Sequence, residues 1–143
     1  MSADTKGKKK PPAHLHRVVE ALKTHHLITD DLATGDSKYM GICVLPEDEA
    51  KKAGQDPPIH RRLDIRLLPY DEYYSGLLYF TGSDQFNRHS RILAQEKGFT
   101  LSENGLFKRS EKTKKGVKTT LHSEKELFDI LGMEYLEPTE RDW

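Results

Sequence analysis

Leu15, Val18, Val19 and Leu22 recur at helical spacing, which predicts an amphipathic helix from about His14 to His26. Ile28 to Asp36 reads as an extended stretch closed by a turn at Gly35-Asp36, and Tyr39 to Leu45 as a strand. Pro46 to Pro58 mixes acids, lysines, a glycine and two adjacent prolines and reads as a loop. Ile59 to Leu68 alternates. Ile59, Arg61, Leu63, Ile65 and Leu67 point one way, and His60, Arg62, Asp64, Arg66 and Leu68 the other, which apart from Arg61 and Leu68 gives one buried and one charged face, until Pro69 stops the strand. Asp71 is placed to cap a helix through Tyr73, Tyr74, Leu77 and Leu78, broken at Thr81-Gly82. Ser83 caps a second helix that runs to about Lys97, with Gly98 as its stop. Phe99–Leu101 and Leu106–Lys108 flank Asn104-Gly105, a hairpin signal. Arg109 to Gly116 reads as a basic loop. Ser123-Glu-Lys-Glu126 is a capping box that opens a short helix through Leu131. The pattern predicts an α+β fold with antiparallel sheet, not a βαβ unit.

Composition narrows the class. The 143 residues suit one domain, or two small ones. Residues 1–13 are small, polar and lysine-rich and are expected to be a disordered tail. No apolar run approaches the ~18–20 residues that cross a bilayer, so no membrane is expected. The single cysteine, Cys43, excludes an internal disulfide. Lys plus Arg total 23 and Asp plus Glu total 23, so nucleic-acid binding would need segregated charge, as in the runs Lys6–Lys10 and Lys108–Lys118. No glycine-rich phosphate loop, GxSxG elbow or Cys/His pair is present.

Three features could carry chemistry. Period 2 puts Arg62, Asp64 and Arg66 on one strand face, which suits a Mg²⁺ ligand or a plain ion-pair ladder. One carboxylate cannot run two-metal phosphoryl transfer, which needs several around ions ~3.5–4 Å apart. Asp84, Asn87 and Arg91 fall on one helix face, opposite Phe86, Leu93 and Ala94. That set could read a base pair and a template strand, or be an ordinary polar face. Tyr79-Phe80-Thr81-Gly82 sets two aromatics before a break, and one of them could meet a ligand ring or sugar.

His60-Arg-Arg-Leu-Asp-Ile-Arg66, Leu77-Leu-Tyr-Phe-Thr-Gly-Ser-Asp84, Phe86-Asn87, Arg91 and Lys97-Gly-Phe-Thr100 resemble, in order and spacing, the family X DNA polymerases. Lys38–Pro46 and His16–Asp30 match too. The central blocks look beta-like, and the tail Leu131–Trp143 looks lambda-like. The resemblance covers roughly residues 14–143. It implies the C-terminal half of a polymerase palm over 14–69 and a nucleotide-selecting thumb over 70–143.

The resemblance also implies roles. Asp64 matches a catalytic aspartate that binds Mg²⁺, with Mn²⁺ as a substitute. Arg62 matches an arginine beside that aspartate and the primer terminus. Arg66 matches a conformational-switch arginine and Glu103 one of its partners; Asn104 stands where a tyrosine is the next partner. Tyr79 and Phe80 match the pair flanking the incoming sugar. Gly82-Ser83 matches a junction that is cis in the family. Asp84 and Asn87 match residues touching the incoming base, Arg91 one touching the template, and Lys38 one touching primer phosphate. Arg88 replaces a family lysine near the template.

The family's other two metal aspartates and its triphosphate-holding turn are expected before this chain begins. Asp30-Asp31 is not that pair, because adjacent strand residues point to opposite faces. The expected function is gap-filling DNA synthesis in nuclear repair, with primer-template DNA, dNTP and the remainder of the polymerase chain as partners. The chain alone is expected to be inactive. Another class remains open: a non-catalytic DNA- or partner-binding module from a truncated gene. Tyr79-Phe80 argues against a template-independent transferase, which typically carries Gly-Trp there.

Overall fold

The structure is a computed structural model that describes residues 14–111 and 113–143, with the backbone but not the side chains of 113–115. The expected disordered tail, 1–13, lies outside the described residues. The chain divides into two compact units between Leu67 and Leu68, each α+β with an antiparallel three-stranded sheet.

In the first unit, α1 (His14–Thr24) is followed by β1 (Ile28–Ala33), β2 (Lys38–Cys43), α2 (Glu47–Lys52) and β3 (Arg61–Arg66), with sheet order β1-β2-β3. Leu15 and Val19 of α1 bury against Ile28 and Tyr39, with Leu22, Leu63, Ile65 and Leu67 closing the cluster. Val18 was expected in the apolar stripe but is 48% exposed: one residue of rotation from Val19 carries it off the packed face. Ile59 was expected on the buried strand face. It precedes β3 and is 48% exposed. The expected loop at Pro46–Pro58 contains α2. Glu47, Asp48 and Glu49 fill its first turn and Lys51 and Lys52 its last, matching the helix dipole, and Ala50 is fully buried. The prolines and glycine that suggested a loop act only after it ends.

In the second unit, a 3₁₀ turn (Tyr70–Glu72) leads into α3 (Tyr73–Thr81) and α4 (Asp84–Glu96). Then come β4 (Phe99–Ser102), β5 (Gly105–Ser110), β6 (Thr113–Lys118), α5 (Glu124–Leu131) and a 3₁₀ turn (Pro138–Arg141). Leu78, Phe86, Ala94, Leu101, Leu106, Leu121, Leu127, Phe128 and Leu131 form its core. Ser83 caps α4 as expected, its Oγ accepting from the Phe86 N–H at 3.3 Å. Ser123 caps α5 by accepting from the Glu126 N–H at 3.1 Å, but Glu126 reaches back to the N–H of His122, one residue before the cap. Asp71 does not cap α3. It lies in the 3₁₀ turn and accepts from Lys118 Nζ at 2.8 Å, a bond that holds its carboxyl below the usual range.

The β4–β5 turn is Glu103-Asn104, with Gly105 already paired to Ser102, one residue earlier than the Asn-Gly signal placed it. The expected basic loop Arg109–Gly116 is mostly strand: β5 runs on to Ser110 and β6 pairs with it. Charge hid this strand, yet lysines are what an edge strand carries to deter further pairing. Gly116, at φ +73°, lies so close to the Lys108 carbonyl that any Cβ there would collide with it.

Candidate functional site

The sequence-predicted residues form two patches, one on each unit. On the first, β2 and β3 register Lys38 with Arg66, Met40 with Asp64 and Ile42 with Arg62, so Lys38, Arg62, Asp64 and Arg66 share one sheet face. Tyr39 and Gly41 register with Ile65 and Leu63 on the other face, the side packed with α1. The Tyr39 ring lies along β2 so that a Cβ at Gly41 would collide with it. Two cations directly opposite each other, Lys38 and Arg66, cost stability in a sheet unless something negative sits on them.

Asp64 stands between the two arginines. Its Oδ1 accepts from Arg62 Nη2 at 3.0 Å, and the two side chains remain 56% and 51% exposed. The carboxylate is restrained but reachable, not sealed in an ion-pair cluster. Asp64 can furnish one ligand to a divalent ion. Among the described residues no group of three or more His, Cys, Asp or Glu is placed to hold one, so the residues present fit part of a metal site only. Asp31 is committed elsewhere. It accepts from Lys23 at 2.7 Å and from the Tyr39 hydroxyl at 2.6 Å, and the Lys23 bond, then the Tyr39 bond, hold its carboxyl below the usual range. Asp30 registers with Ile42 and Asp31 with Gly41, so the pair does splay to opposite faces.

The second patch is the corner between α3 and α4. Gly82, at φ +69°, ends α3, and the Gly82–Ser83 peptide is cis. Thr81 Oγ1 donates back to the Leu77 carbonyl at 2.7 Å. Tyr79 and Phe80 meet edge to face at 5.1 Å, with Phe80 48% exposed and Tyr79 half-buried. The Arg91 guanidinium lies over the Tyr79 ring at 5.9 Å from its centroid. Asp84, Arg88 and Arg91 are exposed. Asn87 is not presented with them. It is 7% exposed, and its Nδ2 donates to the Tyr79 carbonyl at 2.9 Å, tying the end of α3 to the start of α4.

The switch residues fall on different units, Arg66 in β3 and Glu103 in the β4–β5 turn. Sequence reasoning passed over Arg141 and Trp143. Arg141 is fully buried. Its Nη1 and Nη2 donate to Glu124 at 3.0 and 3.2 Å and its Nε and Nη2 to the Leu136 carbonyl at 2.9 and 2.7 Å. The rings of Phe128, Tyr135 and Phe86 surround it at 4.9, 5.6 and 5.7 Å. No periodicity marks a buried arginine in a short polar tail.

Comparison with known sequences gives the class first. Residues 1–70 match the model of the DNA polymerase beta palm, and residues 76–142 that of the DNA polymerase beta thumb. The chain belongs to the family X DNA polymerases. It is 42% identical over 137 residues to DNA polymerase lambda of Rattus norvegicus, covering 88% of this chain and 22% of that protein. With DNA polymerase lambda of Arabidopsis thaliana it shares 34% over 144 residues, covering 90% of this chain and 26% of that one. With DNA polymerase IV of Saccharomyces cerevisiae it shares 37% over 82 residues, covering 57% of this chain and 13% of that protein. The chain thus spans about a quarter or less of the length of these relatives.

Proposed function

We propose that this chain supplies part of the palm and the thumb of a repair-type, DNA-directed DNA polymerase that fills short gaps in nuclear DNA. The observation that carries the reading is Asp64: a reachable carboxylate, restrained by Arg62, on the sheet face that also carries Lys38 and Arg66. Mg²⁺, or Mn²⁺ in its place, would supply Lewis-acid activation of the primer 3′-hydroxyl and neutralise phosphate charge.

Asp64 contributes one carboxylate ligand. Arg62 orients that carboxylate and faces the primer terminus. Lys38 meets primer phosphate, and Arg88 and Arg91 meet the template strand. Tyr79 and Phe80 flank the sugar of the incoming dNTP, where an aromatic wall leaves no room for a 2′-hydroxyl. Gly82, Asp84 and Asn87 shape the space around its base. Arg66 and Glu103 form a switch pair between open and closed states of the enzyme.

Primer extension on a one-nucleotide-gapped duplex with labelled dNTP and Mg²⁺ tests the reading. It is run on the chain alone and on a family polymerase whose palm segment and thumb are replaced by it. The replacement enzyme extends the primer, and Asp64→Ala lowers its rate at least about 10³-fold, the scale of losing several kcal/mol of metal-borne charge stabilisation. The chain alone does not extend, since one carboxylate cannot hold a two-ion centre. Full activity of Asp64→Ala in the replacement enzyme would refute the assignment.

A further inference from the structure

The α3–α4 corner is held from outside its own two helices. The Ser83 N–H donates to the Arg141 carbonyl at 3.1 Å, and Ser83 Oγ, which already accepts from Phe86 N–H, lies 3.4 Å from the Trp143 carbonyl. The Trp143 ring meets Phe86 edge-on at 5.2 Å and His89 at 5.2 Å, and its Nε1 donates to the Glu140 carbonyl at 3.2 Å. The acceptor that meets Ser83 cannot drift, because the Arg141 side chain is fixed by Glu124 and Leu136 and enclosed by three rings. A buried guanidinium with its donors satisfied is a rigid anchor.

We infer that Arg141 and Trp143 are positioning residues for the nucleotide: the segment 141–143 is a strap that fixes the Gly82–Ser83 corner, and with it Tyr79, Phe80 and Asp84. This rests on the reading of that corner as the nucleotide site. Neither residue touches the nucleotide in this proposal. They act by removing freedom from a backbone that must be in place before the dNTP arrives, where small displacements are costly.

Trp143 is 49% exposed, so replacing it leaves the core standing. The test compares wild type, Trp143→Ala and Trp143→Phe in two settings: Ser83 amide exchange by NMR in the isotope-labelled 143-residue chain, and binding of Mg²⁺-dNTP by the replacement enzyme described above carrying the same changes. In Trp143→Ala, Ser83 exchange rises about five- to tenfold, the size of one weakened hydrogen bond. The dNTP Kd rises about three- to tenfold, the size of one lost edge-to-face contact. Trp143→Phe keeps a ring against Phe86 and restores both. If Trp143→Ala does not fold, Trp143→Leu is read in the same way. Unchanged Ser83 exchange overturns the strap, and faster exchange with unchanged dNTP affinity overturns its positioning role. If Phe80→Ala in the replacement enzyme leaves both dNTP affinity and the exclusion of ribonucleotides unchanged, the nucleotide reading itself falls and the strap's role with it, an outcome distinct from the other two.

Discussion

At the residue scale, two buried polar groups have measurable consequences. Tyr39 is 1% exposed, and burial, then its bond to Asp31, push its phenol from 10.0 up to about 12. An unfolded tyrosine ionises near 10.0 while the folded one keeps its proton to about 12. Its contribution is therefore complete below pH 10.0 and is lost as pH rises to about 12. Urea midpoints across that window should fall less steeply for Tyr39→Phe than for wild type. Part of the fall remains, because Lys23, raised by its bond to Asp31, also loses its proton more readily on unfolding. The second group is Arg141. Glu124→Ala strands a fully buried guanidinium and should cost about 3–5 kcal/mol in a denaturant melt. The strand face with Arg62, Asp64 and Arg66 was legible in the sequence because alternation has a period of two and needs no tertiary knowledge. Arg141 was not, because what makes it structural is the convergence of Phe86, Phe128 and Tyr135 from distant parts of the chain.

At the scale of elements, legibility followed local chemistry. Helices announced by a capping serine or a stopping glycine, α4 and α5, were readable to within a residue or two at each end. Elements specified by packing or by pairing were not. α2 has no side-chain cap and is held by the burial of Ala50, and β6 exists because β5 offers it a partner. Asp71 looked like a cap and became a partner of Lys118, a choice made by residues far apart in sequence. Ser83 serves α4 through the bond to Phe86 N–H, so Ser83→Ala should lower stability by about 1 kcal/mol, with amide exchange rising first at Asp84–Asn87. In Gly116→Ala the new methyl meets the Lys108 carbonyl in a left-handed backbone, so β5–β6 pairing should weaken, visible as lost exchange protection at Lys108 and Ser110.

At the scale of the whole molecule, zero net charge means that the proposed DNA binding would rest on placement rather than on total charge. Lys38 and Arg62 lie on one sheet face of the first unit, and Arg88 and Arg91 project from α4 of the second. Replacing Lys38 or Arg91 by Ala should each weaken gapped-duplex binding and flatten the slope of log K against log salt by about 0.7–0.9, one phosphate contact.

The position of Trp143 has an optical consequence. It is the chain's single tryptophan, and its indole lies edge-on to the core ring of Phe86. Fluorescence excited in the indole band therefore originates wholly in the second unit. The first unit, whose single tyrosine is Tyr39, is dark in that channel. One cuvette thus contains a native reporter for the thumb-like half, and a melt read in the indole band follows that half's transition without any label.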